Sequence, residues 1–218
     1  MKKNQIIEFV ISIPKTLYFN FKVFPFKKAI QLPVICHYST KLKKLSGEIV
    51  LKGNKRERIS IGFGGSYGLG GRCYIENMGK ILFNGKASFA RGTQLIVGKD
   101  GIIEFGSNFR SNSDCIFNSN NRITFGNDNL LAWRNTFLDS DGHSIVDIET
   151  QLSTNETGTI ITGDHVWICP ECSLLKGAII PSNSIVATKS VVTKSFESDS
   201  HVLIGSNTVL KRNVDWND

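Results

Sequence analysis

From Thr162 to Val192 a residue of aliphatic type returns at every sixth position: Thr162, Ile168, Leu174, Ile180, Val186 and Val192. Four residues after each of the first five comes a smaller side chain: Val166, Cys172, Ala178, Ser184 and Ser190. Neither a helix of period 3.6 nor an alternating strand of period 2 generates this pattern. A six-residue step does fit a flat-sided prism in which each side is a short strand and each corner a turn. One residue per side points to the axis, and the small residue lets the corner close. The hexads therefore predict an all-β solenoid.

Upstream the repeat continues in looser register. Ile81, Ile102 and Ile123 recur at 21-residue steps, and Gly85, Gly106 and Gly126 at steps of 21 and 20. The segments "ILFNG", "IIEFG" and "ITFG" read as one strand and corner on successive coils, and "SFARGT" (88–93) is matched to "NFRSNS" (108–113). Three sides of about six residues, with one or two extra per turn, account for this period. The expected organisation is an N-terminal segment at 1–46, a triangular coil at 47–196 with an inserted loop near 148–160, and a tail at 197–218. Phe196 breaks the small-residue rule and should end the regular coil. The tail, through Trp216, should fold back or pack as a short helix.

In the first 46 residues Tyr18, Phe19, Phe21, Phe24 and Phe26 interleave with Lys15, Lys22, Lys27 and Lys28, and Pro14, Pro25 and Pro33 break any long helix. Two roles follow. The preferred one is a cap over the open first coil, whose strand edges need covering. The other is peripheral contact with an anionic membrane surface. The apolar run Ile6–Ile13 is interrupted by Glu8 and far short of the roughly 20 residues a span requires. No small-x-small cleavage site precedes Pro14, so the mature chain is expected to keep its own N-terminus.

Composition narrows the chemistry. The 218 residues are 40% hydrophobic and 21% charged, which supports a buried core. A net charge of +7 favours a polyanionic partner such as a phosphorylated cofactor. Five irregularly spaced cysteines give no disulfide framework and point to reduced thiols in the cytoplasm.

The segment "LDSDGHSI" (138–145) places His143 on a glycine corner behind Asp139 and Asp141. Histidine is the side chain suited to take a hydroxyl proton near neutral pH. On these residues alone, a solvated corner histidine beside turn-forming Asp and Gly explains the pattern as well. With "TGDHVWICPECSLLKGAIIPSNSIVATKSVVTK" (162–194), it makes residues 47–216 resemble the hexapeptide-repeat acyltransferases, which include maltose, galactoside and capsular-sugar O-acetyltransferases.

The resemblance implies an all-β, left-handed parallel β-helix. It implies that His143 is the general base, and that Asp141 or Asp139 fixes its tautomer or binds acceptor hydroxyls. It also implies acetyl-CoA as co-substrate, with Ser190, Thr193 and Lys194 of "SVVTK" at the nucleotide end and Thr188 and Trp167 at the donor site, though packing at a corner explains Trp167 equally well. Lys211 and Arg212 have an electrostatic reason to lie near the three phosphate groups of coenzyme A, and ordinary surface charge explains them equally. The family assembles as homotrimers with sites shared between subunits, and no metal is expected. Cys169-Pro170 and Ala187-Thr188-Lys189 replace smaller residues of the family pattern and should reshape the groove.

Other motifs read as structural. Cys169-x-x-Cys172 has no second pair, the glycines from Gly62 to Gly71 match no phosphate-binding loop, and His37, His165 and His201 show no ligand spacing with His143. Asn155-Glu-Thr is a chance glycosylation match, and no nucleic-acid-binding motif accompanies the charge. The expected activity is acetyl transfer to a sugar hydroxyl in bacterial surface-polysaccharide synthesis. N-acetylation of an amino sugar or small molecule, and a non-catalytic glycan- or partner-binding solenoid, are the alternatives.

Overall fold

Nearly every strand of the coil finds its partner one turn further on. The computed structural model describes residues 3–53, 57–65, 69–154 and 156–217, and their strands form three ladders that make the faces of a prism. The first face runs from Val34–Cys36 to Val202–Gly205, the second from Lys41–Leu45 to Val191–Val192, and the third from Glu48–Leu51 to Ile179–Ile180. All of these pairings are parallel. This is the three-sided parallel β-helix that the hexads predict. Asn155 of the glycosylation match and residues 66–68 of the glycine run lie outside the described residues.

Period-2 burial in each strand sends alternate side chains to the axis. In Ile102–Phe105 the inward residues are Ile103 and Phe105, both fully buried. The wider early coils are filled by phenylalanine. Phe83, Phe105 and Phe125 stack at 5.2 and 5.5 Å with near-parallel rings, and Phe117 lies 5.0 Å from Phe137. The tighter later coils are filled by Ile168, Leu174, Ile180, Val186 and Val192. Fewer residues per turn leave a smaller cross-section, and close packing demands smaller fillers.

The register differs from the expected repeat. Ile81 aligns with Ile103 rather than Ile102, so the steps are 22 and then 20 residues, and Ile102 points outward beside Lys80. Phe89 aligns with Ser111, not Phe109. An offset of two keeps both phenylalanines inward, so side-chain pattern alone does not distinguish the registers.

The coil also begins earlier and ends later than expected. Val34–Cys36 and Lys41–Leu45 already pair with Ile59–Ile61 and Tyr74–Asn77, and Val202–Gly205 extends the first face beyond Phe196. The tail folds back: Thr208–Arg212 pairs antiparallel with Val202–Gly205, and buried Trp216 stacks on His165 at 4.4 Å.

Among the described residues three helices precede the coil: α1 (Lys3–Ile11), α2 (Ile13–Val23) and α3 (Phe26–Ala29). On α2, Thr16, Phe19 and Asn20 fall on one face at i, i+3 and i+4 and are buried. Asn20 Nδ2 donates to the Val34 carbonyl at 2.6 Å, and the Val34 amide donates to Asn20 Oδ1 at 3.2 Å. Thr16 Oγ1 likewise bonds both the amide and the carbonyl of Cys36. Two helical side chains thus satisfy the strand edge that an uncapped solenoid would expose.

Cysteines occupy buried corners between the first and second faces. The thiols of Cys73, Cys115 and Cys172 donate to the carbonyls of Ala90, Ala132 and Ala187 on the next coil. All five cysteines are free and buried.

Candidate active site

His143 lies at the corner that follows the second-face strand Thr136–Leu138. There the chain leaves the coil at residue 139 and rejoins it at Thr159–Thr162. The excursion is a small hairpin, closed by the Val146–Ser153 bridge and by Asp147, whose carboxylate accepts the Glu149 and Thr150 amides. Its tip presents Ile148, 88% exposed, and Leu152, 67% exposed. The insertion expected near 148–160 therefore begins at the corner that carries the histidine.

The two aspartates separate in role. Asp139 is fully buried. Its carboxylate accepts Ser119 Oγ at 2.6 Å and the amides of Asn120 and Asn121 at 2.7 and 3.0 Å, while its carbonyl accepts the Gly158 amide. It staples both ends of the hairpin to the previous coil. Asp141 is exposed at the mouth, and its Oδ2 accepts Lys176 Nζ from the next coil at 2.5 Å. Gly142 has φ of +75°, a left-handed turn that glycine adopts without strain and that presents His143 to solvent. Ser140, Asp141, His143, Ser144, Glu156 and Thr157 line an open polar depression of about 220 Å³.

Stacking of the second face sets the rest. The strands Thr136–Leu138, Ser173–Leu175 and Val191–Val192 are consecutive rungs. Their following corners hold His143, then Lys176, then Thr193 and Lys194, on one edge of the prism. At about 4.8 Å per rung, the coil of Lys194 lies about 10 Å from that of His143. Asn207 of the tail hairpin braces Thr193, accepting its amide at 2.8 Å and donating to its hydroxyl at 2.9 Å.

The remaining expected donor residues lie elsewhere on this chain. Thr188 and Ser190 sit at the corner between the first and second faces. Ser190 is buried there, its carbonyl accepting the Ser173 amide. Trp167 lies on the outside of the first face, packed with Leu130, Cys169, Ile185 and Trp216. Lys211 is exposed on the tail hairpin opposite Leu203. Sequence reasoning missed Lys176, Glu156 and Thr157. The hexad count marks 176 as a corner position, but only the rung alignment shows that it meets Asp141.

Burial pushes the thiols of Cys36, Cys73 and Cys172 up to about 11 and that of Cys115 to about 12. They stay protonated at neutral pH, where the thiolate is the nucleophilic form. Among the described residues, no group of three or more His, Cys, Asp or Glu side chains is arranged to hold a metal ion.

The chain is similar in sequence to O-acetyltransferases. WbbJ of Escherichia coli strain K12, assigned to lipopolysaccharide biosynthesis as an O-acetyl transferase, is 29% identical over 136 residues, covering 59% of this chain and 69% of WbbJ. The polysialic acid O-acetyltransferase of Escherichia coli O1:K1 / APEC is 27% identical over 143 residues, covering 66% of this chain and 44% of that protein. Among solved structures, the polySia-specific acetyltransferase NeuO aligns with a TM-score of 0.47 at 22% identity, over 85% of this chain and 84% of NeuO. No family model matches the chain.

Proposed function

We propose that this protein is an acetyl-CoA-dependent acetyltransferase that modifies a sugar hydroxyl in the synthesis of a bacterial surface polysaccharide. The observation that carries the reading is the single prism edge on which an exposed histidine, held out by Gly142, shares a line of corners with Thr193 and Lys194. The two sequence relatives named as O-acetyltransferases of lipopolysaccharide and polysialic acid supply the acceptor class.

In the reaction His143 takes the proton of the acceptor hydroxyl as its oxygen attacks the thioester carbonyl. The tetrahedral intermediate collapses with breakage of the carbon–sulfur bond, and the imidazolium returns its proton to the departing thiolate. Thr193 and Lys194 bind the phosphorylated end of the donor, Lys194 as a point charge. Asp141 with Lys176, and Glu156 across the depression, are placed to orient the acceptor. The attack is direct and needs no covalent acyl-enzyme, and the buried cysteines are not available as nucleophiles.

The working unit is a homotrimer. The apolar hairpin tip at Ile148 and Leu152 reaches a neighbouring subunit, and the donor groove draws Thr188, Trp167 and Lys211 from a different copy than His143. The setting is the cytoplasm, in keeping with five free thiols.

The test is acetyl transfer from acetyl-CoA to hydroxyl acceptors, run with His143→Ala and Lys194→Ala. The first should lower turnover by roughly 10²–10⁴ without changing thermal stability. The second should weaken acetyl-CoA binding measured by calorimetry. Near-normal transfer by the His143 variant removes the assignment.

A further inference from the structure

Among the described residues, one side of the helical cap packs on the coil and the other faces solvent. On α2 the face opposite Thr16, Phe19 and Asn20 carries Leu17, Tyr18 and Phe21, all exposed. Lys15 and Lys22 flank that stripe at helical spacing. The surface continues onto α3, where Phe26 is 70% exposed with its ring 5.9 Å from Phe21, and Ile30 follows exposed. On α1, Ile6, Ile7, Phe9 and Val10 are exposed as well, while Glu8 turns inward to pair with Arg91. Scattered apolar surface residues are ordinary; a contiguous basic and aromatic face marks an interaction site.

Charge decides the occupant. Residues 1–31 contain six lysines and one glutamate, so they carry five of the chain's seven net charges. The rest of the molecule is close to balanced, with 20 basic and 18 acidic residues, so the excess positive charge is concentrated on this segment. Under α3 a cavity of about 350 Å³ is lined by Lys27, Lys28 and one acidic residue, Glu57, together with Pro33, Leu51 and Phe83, so its polar rim is net positive. That combination suits an amphiphile with an anionic head and an apolar tail. At about 1.5 Å per residue, α1 and α2 are each about half of the roughly 30 Å hydrocarbon thickness. No described helix is long and apolar enough to cross a membrane. The helices fit the interface plane instead, with aromatic and aliphatic side chains at headgroup depth and lysines against lipid phosphates.

We propose that the outer face of α1–α3 docks the protein on an anionic phospholipid bilayer, with the β-helix standing off the membrane behind it. The role does not depend on acetyl transfer and is read without acetyl-CoA. Full-length protein is sedimented with vesicles of phosphatidylglycerol and phosphatidylcholine, and with vesicles of phosphatidylcholine alone. Two variants accompany it, Lys22→Gln/Lys27→Gln/Lys28→Gln and Phe21→Ser/Phe26→Ser, each checked for an unchanged circular-dichroism melt. Wild type should partition onto the anionic vesicles and be released by 0.5 M salt, where the screening length falls to about 4 Å. The lysine variant should partition on the order of a hundredfold less, at ~1 kcal/mol for each lysine removed. Absence of wild-type partitioning, or equal partitioning onto phosphatidylcholine, overturns the proposal. So does a smaller assembly for the phenylalanine variant without vesicle binding by wild type, which would assign the face to a second copy of the chain.

Discussion

Replacing Asp139 by Ala separates a structural carboxylate from a catalytic one. The side chain is fully buried and accepts three hydrogen bonds, from Ser119 Oγ and from the Asn120 and Asn121 amides. Hydrogen bonds to a charged group contribute about 1.5–3 kcal/mol each. Asn120 is exposed, so water replaces part of its bond, whereas Ser119 is buried and retains a second acceptor in the Ile102 carbonyl. The Asn121 amide has the least relief, and a small void adds to the loss. The net expectation is about 3–4 kcal/mol. In a domain of this size each kcal/mol moves the melting temperature by about 2–4 °C, so the midpoint should fall by about 10 °C. Asp139→Asn should fall between, because its amide nitrogen faces amide donors where a carboxylate oxygen stood. The assay is a thermal melt by circular dichroism, alongside His143→Ala, whose exposed side chain predicts a shift under about 2 °C. An Asp139→Ala midpoint within 2 °C of wild type, with acetyl transfer lost to the extent seen for His143→Ala, would refute the staple and return Asp139 to the chemistry.

Two further expectations concern the coil itself. Phe105→Ala removes the middle ring of the Phe83–Phe105–Phe125 stack and should lower stability by about 3–5 kcal/mol, read as a reduced urea midpoint; a loss under 1 kcal/mol would contradict close packing at the axis. The fold holds the buried thiols protonated, so their contribution is complete below pH 9.0, where an unfolded thiol titrates, and is lost as pH rises towards 11 and 12. Urea midpoints should therefore decline from pH 9 upward, with the slope reduced in Cys115→Ala by about 1.4 kcal/mol per pH unit; identical slopes would sink this account.

Some of this was legible in the chain, for reasons of periodicity. Inward residues at every sixth position define strands and corners without knowledge of what they touch, so the prism follows from Thr162–Val192 alone. The same logic failed upstream wherever two registers keep the same faces. Phe89 and Phe109 both point inward, and only hydrogen bonding between rungs places Phe89 beside Ser111. The cap was recognisable by its prolines and aromatics. That Thr16 and Asn20 bond the edge of Val34–Cys36, starting the coil before residue 47, required the helix to be seen on the strand.

The site divides in the same way. His143 stands out in sequence because a histidine after Asp-Gly on a corner combines a titratable group with a turn that exposes it. Asp139 and Asp141 look equivalent there, two residues apart. Burial makes one a staple and leaves the other at the mouth, beside a lysine 35 residues further along the chain. Thr193 and Lys194 read as one motif with Ser190, yet the corners of the prism send Ser190 to a different edge from the other two. Local pattern determined which residues turn inward and where the chain turns. Which corners stack into one line was decided by coil length and by the hairpin between residues 139 and 159, quantities that exist only once the rungs are paired.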